Sequence, residues 1–275
     1  MKKFKNWVKR LFKIISKPEL RILPGQLAFF LFLSMVPIIT LTVYFAGVFA
    51  VSTEGIVSFI TSAIPKEVSD LLLPYLLGKG FNFTVGISML TGFIVASNGA
   101  HSIIITSNML YKVEDSSYIT RRIKAFLMTI ILVFLFIFML VILAFGNNIL
   151  NYIFGLGLFA KVKQTVFIIY FILKWTLALF IVFVLVKILY TMAPDRRIKS
   201  KYVNKGALFT TLSFALVTTV YSYYVSHFTN YDVLYGGLSG IVILMIFVYF
   251  LSYIFIIGIA INADEYEMEN KGAHK

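Results

Sequence analysis

Long apolar stretches dominate the pattern of hydrophobic and polar positions along this chain. Five of them contain no charged residue and cover residues 22–53, 80–111, 125–160, 206–231 and 233–263. A sixth, residues 164–192, is as apolar but contains Lys174 and Lys187. Each stretch exceeds the roughly 20 residues that a helix needs to cross a bilayer. Trimmed to their apolar cores, they predict an all-α membrane protein with six transmembrane helices, near residues 26–50, 83–107, 125–146, 164–190, 206–228 and 237–262.

The composition excludes a soluble globular domain. Of the 275 residues, 60% are hydrophobic and 13% are charged, and the chain has 28 Phe and 16 Tyr. Soluble domains are usually about 25% charged. So few charged side chains could not cover a water-facing surface of this size, whereas a lipid environment removes that requirement.

The basic residues predict which way the chain crosses the membrane. The seven segments outside the spans hold, in chain order, 8, 2, 4, 2, 5, 0 and 2 Lys and Arg residues. Successive segments lie on opposite sides of the membrane, so one side holds 19 of these residues and the other side holds 4. Lys and Arg accumulate in cytoplasmic loops. Both termini are therefore predicted on the cytoplasmic side of the membrane. This distribution also accounts for the net charge of +13 through contact with anionic lipids, so no nucleic acid partner is expected.

Three regions follow along the chain: residues 1–17, a transmembrane domain over residues 18–263, and an acidic cytoplasmic tail over residues 264–275. In the first region, apolar residues recur at helical spacing and lysines fill the other face, which predicts an amphipathic helix lying in the membrane interface. Pro24-Gly25 predicts a turn before the first span. The first outer loop, residues 51–82, predicts two short amphipathic helices.

Lys174 is predicted to lie at depth in the fourth span. It stands 13 residues before Lys187, about 20 Å along a helix, and therefore in the outer third of the membrane. Two interpretations remain open. Its ammonium group extends to the outer interface beside Trp175, or it lines a cavity that attracts an anion such as a lipid phosphate.

Polar residues interrupt the second span. Residues 97–102 read SNGAHS, and Asn108 follows. Such side chains either form hydrogen bonds between helices or line a central cavity. Gln26 and Ser34 form a similar polar stripe in the first span.

The residues for most catalytic chemistry are missing from the sequence. It contains no Cys, and all 12 Asp and Glu lie outside the span cores. His101 is not expected to bind a metal, because the two other His residues are far from it in the sequence. No phosphate loop or Ser/His/Asp arrangement is present. We therefore expect a protein that is not an enzyme and uses no metal or cofactor.

Several segments in order resemble the YihY/virulence factor BrkB family of bacterial inner-membrane proteins. They are LPGQLAFFLFLSMVPIITLTVYFAG in the first span, SNGAHSIIITSNMLYKVEDSSYITRR at the end of the second and after it, LYTMAPDRR, KGALFTT, and the last stretch from YSYYVSHFTNYDVLYGG to INADEYE. The family often has Arg where Asn98 stands. Members were once labelled ribonuclease BN and have been linked to export of envelope lipids, so the resemblance implies a role in the cell envelope.

Together these observations predict a transporter or flippase-like protein for an anionic lipid or a lipid-linked envelope precursor. A scaffolding protein that recruits partners at the cytoplasmic face is the alternative, and a membrane-bound nuclease is a remote one. Anionic membrane lipids are the expected partners, and the sequence leaves the oligomeric state open. The candidate substrate-pathway residues, two of them drawn from the family-like last stretch, are Gln26, Ser34, Asn98, His101, Asn108, Lys174, Tyr231 and Tyr235.

Overall fold

The structure, a computed structural model, describes residues 14–16, 18–48, 57, 83–133, 163–228 and 235–273. These residues are mainly helical and include no β-strand. Their long helices are α1 (Glu19–Val48), α2 (Phe83–Tyr111), α3 (118–133), α4 (Lys163–Met192), α5 (Asn204–Phe228) and α6 (Ser239–Ala273). Short 3-10 turns, Ser200–Val203 and Gly236–Leu238, precede α5 and α6.

Three helical segments in the described part of the chain are long and apolar enough to cross a membrane. They are Ile172–Met192, Ser200–Val225 and Ser239–Glu269, and they coincide with the fourth, fifth and sixth predicted spans. A shorter apolar segment covers Leu20–Ser34 in α1. The all-α class is confirmed for the described residues, and the other three membrane crossings stay predictions.

Several predicted elements lie wholly or mostly outside the described residues. Of the N-terminal region predicted as an amphipathic helix, the structure describes only residues 14–16, and of the first outer loop it describes only Val57. The far part of the third predicted span, residues 134–146, also lies outside the described residues.

Buried side chains gather at one end of the helices, where α1 and α5 begin and where α2, α4 and α6 end. We call this the basic end, because the helix ends and connecting segments there carry most of the described Lys and Arg residues. Helix α1 packs against α2 and α6, and α5 packs against α4 and α6. The largest fully buried side chains there are Leu20, Leu27, Ile104, Asn108, Met128, Tyr190, Val203, Ile256 and Ile259. The basic end is therefore a shared core of several helices.

The predicted turn at Pro24-Gly25 is wrong, because α1 already begins at Glu19 and continues through both residues. A proline inside a helix removes one backbone hydrogen bond to the preceding turn. Here Leu20, Leu23 and Leu27 are all buried along one face of the same helix. Packing of these side chains is worth about 1.5–3 kcal/mol each, which offsets the lost hydrogen bond.

Two glycines allow α5 and α6 to approach closely at the basic end. The amide of Gly206 donates a hydrogen bond of 2.7 Å to Oδ1 of Asn262. A Cβ atom at Gly258 would overlap with Tyr190 and Thr210. The Tyr190 hydroxyl donates to the carbonyl of Phe255 at 2.7 Å and lies 2.7 Å from Oγ1 of Thr210. This contact joins α4, α5 and α6.

Helix α6 continues without a break from its apolar part into the acidic tail and ends at Ala273. Glu265 and Glu269 form ion pairs with Lys205 and Lys201, which lie at and just before the start of α5. A third, longer pair joins Glu267 to Lys112 at 4.0 Å. The acidic side chains of the tail are thus directed at basic residues of the same chain.

Candidate functional site

A cluster of polar and charged side chains lies at the basic end, between α2, α3 and the segment that follows α4. We call it the polar junction. Its members are Asn98, Asn108, Asp115, Ser116, Arg121, Arg122, Lys124 and Asp195.

The end of α2 turns the chain back to form this cluster. Lys112 adopts φ 53°, in the left-handed region. The amide of Lys112 donates to the carbonyl of Met109 at 3.3 Å, and the amide of Val113 donates to the carbonyl of Asn108 at 2.9 Å. This is the Schellman arrangement that commonly ends helices, here with Lys where Gly is usual. It directs residues 113–117 away from the axis of α2.

Asp195 is the centre of the polar junction. Its side chain is only 4% exposed. It accepts hydrogen bonds from Nδ2 of Asn108 at 2.7 Å, from the amide and hydroxyl of Ser116 at 3.0 and 2.9 Å, and from Nζ of Lys124 at 2.8 Å. The Asp195 amide in turn donates to Oδ1 of Asn108 at 2.8 Å. A buried carboxylate requires such a complete set of donors.

Asn108 joins two carboxylates that are far apart in the sequence. Besides its bond to Asp195, its Nδ2 donates to Oδ1 of Asp115 at 2.8 Å. Each carboxylate also has a cation: Arg121 pairs with Asp115, and Lys124 pairs with Asp195. Lys124 further donates to the carbonyls of Ala193 and Pro194 at 2.8 and 2.7 Å. It therefore also satisfies carbonyl groups just after the C-terminal end of α4, where a cation is favourable.

These contacts lower the pKa values of both carboxyl groups. Burial alone would raise the pKa of Asp195, but the hydrogen bonds from Lys124, Ser116 and Asn108 outweigh it and hold that pKa at about 2. For Asp115, the hydrogen bond from Asn108 is the largest cause of a lowered pKa, and Arg121 adds to it. Both groups are therefore carboxylates at neutral pH.

Arg122 occupies the side of the junction that faces the apolar surfaces of α2 and α3. Its Nη1 donates to Oδ1 of Asn98 at 2.8 Å, and its Nη2 donates to the carbonyl of Ile94 at 3.1 Å. The guanidinium lies over the ring of Phe126, 5.2 Å from the centroid. Phe126 stacks on Phe93 of α2 at 5.5 Å. These contacts fix Arg122 along α2.

Three of the predicted substrate-pathway residues lie on α2 at this end. Asn98 contacts Arg122, and Asn108 bridges the two carboxylates. His101 lies between them, with its ring 5.9 Å from that of Tyr118 in an edge-to-face arrangement. Its Nδ1 atom is buried without a hydrogen-bond partner among the described residues. The structure thus brings these three residues beside the cations of α3.

Ser34 and Gln26 of α1 have different surroundings. Ser34 is fully buried, and its hydroxyl contacts the carbonyls of Phe30 at 2.6 Å and Val95 at 3.3 Å. The same hydroxyl accepts the amide of Gly99 at 3.2 Å. Ser34 therefore joins α1 to α2. Gln26 is exposed on α1.

Lys174 and Tyr235 lie away from the polar junction. Lys174 is partly exposed on α4, between the exposed side chains of Leu173 and Trp175. It stands 18 residues before Met192, or about 27 Å along the helix from the basic end. Tyr235 is exposed before the 3-10 turn that leads to α6. Tyr231 lies outside the described residues.

The sequence analysis did not identify five charged members of the junction: Asp115, Arg121, Arg122, Lys124 and Asp195. Their signal was present in the segments MLYKVEDSSYITRR and LYTMAPDRR, which contributed to the family resemblance. Nothing in a single sequence showed that Asn108 and Asp195, 87 positions apart, form two hydrogen bonds. Among the described residues, no three His, Asp or Glu side chains are grouped in a way that could hold a metal ion.

Apolar helices of membrane-spanning length and a buried polar cluster at one end define a helical membrane protein. A model of the family described as Virulence factor BrkB matches residues 12–275. The chain belongs to this family, which confirms the predicted resemblance.

Several curated proteins are similar to this chain. A ribonuclease-like protein, YfkH, of Bacillus subtilis (strain 168) is 27% identical over 266 residues, which cover 94% of each chain. A UPF0761 membrane protein of Photobacterium profundum is 24% identical over 257 residues, covering 91% of this chain and 77% of the relative. Another, from Idiomarina loihiensis, is 30% identical over 97 residues, 34% of each chain. No solved structure matches the chain.

Proposed function

We propose that this protein is a non-enzymatic transporter that moves an anionic lipid, or a lipid-linked envelope precursor, across the bacterial inner membrane. One observation carries the proposal: α3 begins with Arg121, Arg122 and Lys124 beside the polar residues Asn98 and His101 of α2. A lipid phosphate would find positive charge and hydrogen-bond donors here, next to helices that are otherwise apolar.

The basic end faces the cytoplasm in this proposal. Lys and Arg are concentrated in the segments that connect the helices there, and cytoplasmic loops carry such an excess. The cytoplasmic leaflet is also rich in anionic lipids, which these residues would attract. Substrate would therefore enter the protein at the polar junction.

A scaffolding function is the alternative, and the acidic tail bears on it. Recruitment of a basic partner would use the carboxylates of α6. Glu265, Glu267 and Glu269 already face Lys205, Lys112 and Lys201 of the same chain. A partner would have to displace these pairs, which weakens the case for the tail as a docking segment.

Nuclease activity remains the remote alternative, and the name of the relative YfkH is its only support. Nucleases that use metal ions hold them with carboxylate oxygens. In the polar junction, the oxygens of Asp195 already accept four hydrogen bonds, and Asp115 pairs with Arg121. RNA cleavage by the pure protein that is abolished by Asp195→Asn would revive this alternative.

Reconstitution in vesicles tests the transport proposal. Fluorescent phosphatidylglycerol is placed in one leaflet of proteoliposomes, and its appearance in the other leaflet is followed by dithionite quenching. We expect faster headgroup translocation than in empty vesicles. Translocation at the rate of empty vesicles, for several anionic lipids and for a lipid-linked precursor, would contradict the proposal.

Two variants separate transport from scaffolding. Lys174→Ala removes the cation predicted in the outer third of the membrane, and Lys187→Ala is the matched control on the same helix. We expect Lys174→Ala to slow translocation and Lys187→Ala to leave it unchanged. Deletion of residues 1–17 should leave translocation intact. If the deletion variant inserts into the membrane and translocates lipid normally but loses its cellular function, that result would favour scaffolding.

A further inference from the structure

We propose that Arg122 is the phosphate-binding residue of an anionic phospholipid site on the outer surface of α2 and α3, with the acyl chains lying along both helices. This inference rests on the proposed function only in taking the bound lipid to be the transported substrate. The site itself follows from three observations: the partners of each cation on α3, the unused donors of Arg122, and the apolar surfaces beside it.

The cations at the start of α3 differ in their partners. Arg121 is paired with Asp115, and Lys124 is paired with Asp195. Arg122 donates its hydrogen bonds to the neutral oxygens of Asn98 and Ile94, and no carboxylate of the described residues lies within ion-pair distance of it. Its charge is therefore not neutralised by the described protein, which makes Arg122 the member of the three that an anion would contact.

Arg122 also retains hydrogen-bonding capacity. A guanidinium has five N–H donors in a planar fork, which matches the geometry of a phosphate. The hydrogen bonds to Asn98 and Ile94 use one donor on each terminal nitrogen. These bonds hold the side chain against α2, and the ring of Phe126 supports one face of it. The guanidinium is thus oriented before any ligand arrives, which reduces the entropy lost on binding.

Apolar side chains extend from Arg122 along both helices. On α3, Ile123, Leu127 and Ile130 are exposed at helical spacing, and Ile123 next to Arg122 is 56% exposed. On α2, Ile87, Leu90 and Ile94 are exposed on the side that Arg122 contacts. Beyond Arg122 these surfaces run away from the basic end, towards the middle of the predicted membrane.

A phospholipid fits this arrangement better than a soluble anion does. A cation at the start of two apolar surfaces matches a molecule with one phosphate and two hydrocarbon chains. A soluble anion would use Arg122 but not the exposed Ile and Leu side chains. We therefore commit the site to an anionic phospholipid and use the soluble headgroup as a control.

Native mass spectrometry of the full-length protein in detergent tests the site. The probe is phosphatidylglycerol, and the comparison is between wild type, Arg122→Gln and Arg197→Gln, which removes a charge from an exposed position after α4. We expect Arg122→Gln to weaken phosphatidylglycerol binding about tenfold through loss of charge-assisted hydrogen bonds. Arg197→Gln should change it about twofold or less. Equal effects of the two variants would overturn the proposal.

Two further arms keep the test decisive. Arg122→Lys keeps the charge but loses the planar fork of the guanidinium, so it should bind phosphatidylglycerol more weakly than wild type does. This variant tests the site even if Arg122→Gln cannot be purified. Wild-type affinity of Arg122→Lys would overturn the proposal. Glycerol 3-phosphate should bind far more weakly than phosphatidylglycerol, and equal affinity would overturn the assignment of the apolar surfaces.

The outcome also separates this site from the proposed function. If phosphatidylglycerol binds through Arg122 but vesicles show no translocation, the site stands and the transport function fails. If wild type translocates lipid, and Arg122→Gln equals it in both lipid binding and translocation, the transport function stands and the site fails.

Discussion

The basic end and the opposite parts of α4 and α5 are built on different principles. At the basic end, helices contact one another through buried polar groups that have specific partners, such as Tyr190 with Thr210 and Asp195 with Lys124. Further along α4 and α5, large apolar side chains such as Trp175 and Leu216 are exposed. In a bilayer, those surfaces have lipid as their packing partner.

This difference indicates where the stability of the fold resides. Lipid can replace one apolar neighbour with another at little cost, whereas a buried carboxylate has few alternative partners. We therefore expect substitutions at the basic end to destabilise the protein strongly and equivalent substitutions on the exposed surfaces to have small effects. The predictions that follow test this contrast from the largest expected effect to the smallest.

Asp195→Ala should have the largest effect. It leaves Lys124 without its ion-pair partner and Ser116 without its acceptor, and it removes one of the two carboxylate acceptors of Asn108. Removal of one partner from a buried ion pair typically costs about 3–5 kcal/mol. The measurement is thermal unfolding in detergent, followed by size-exclusion chromatography of the heated sample. An unfolding temperature equal to that of wild type would contradict the assigned role of Asp195.

Gly258→Ala should come next. The added methyl group would overlap with Tyr190 and Thr210, which must move apart. Overpacking of this kind costs about 1–3 kcal/mol. Gly25→Ala is the matched control, because nothing lies within 4 Å of a Cβ atom there, and alanine favours the helix by up to about 1 kcal/mol. The unfolding temperature should fall for Gly258→Ala and rise slightly for Gly25→Ala. A similar fall in both variants would argue against close packing at Gly258.

The junction should also give a defined pH dependence. The pKa of Asp195 is lowered to about 2 from an ordinary value of 3.8. A carboxyl group whose pKa is lower in the folded state stabilises the protein fully at pH values above its unfolded-state pKa. That contribution is lost as the pH falls towards the folded-state pKa. The difference in unfolding temperature between wild type and Asp195→Asn should therefore be constant from pH 7 to about pH 5. It should then shrink between about pH 4 and pH 2, and a constant difference down to pH 2 would contradict this account.

The smallest effect is expected for the exposed ion pairs of α6. Lys201 and Glu269 are 58% and 50% exposed in their side chains. Exposed pairs contribute little to stability and are screened by salt. Glu269→Gln should therefore shift the unfolding temperature far less than Asp195→Ala, and the shift should vanish in high salt. A loss as large as that of Asp195→Ala would remove the distinction between buried and exposed pairs.

The sequence predicted the helices of the last three spans well, because their signal is local. The apolar run that ends before Ala193 marks the end of α4 within a few residues. The runs that begin after Lys205 and Gly236 mark the starts of α5 and α6 equally well. Pro24-Gly25 misled the prediction at the start of α1, because the turn propensity of two residues was outweighed by burial of Leu20, Leu23 and Leu27.

The polar junction could be predicted only in part. Asn98, His101 and Asn108 stood out because polar residues are rare within an apolar run. Their partners did not stand out, because Arg122, Lys124 and Asp195 belong to charged stretches between the predicted spans, where such residues are ordinary. The pairing of Asn108 with Asp195 depends on how α2 and α4 meet, and a single sequence carries no measure of that contact.

The central claim is that the basic end receives an anionic lipid headgroup through Arg122. The most direct measurement is the rate of phosphatidylglycerol translocation in proteoliposomes containing wild type, Arg122→Gln or Arg197→Gln at equal protein density. The account predicts translocation by wild type and Arg197→Gln and a rate about tenfold lower for Arg122→Gln, in keeping with the loss of charge-assisted hydrogen bonds. Equal rates for the two variants, or wild-type translocation no faster than in empty vesicles, would contradict it.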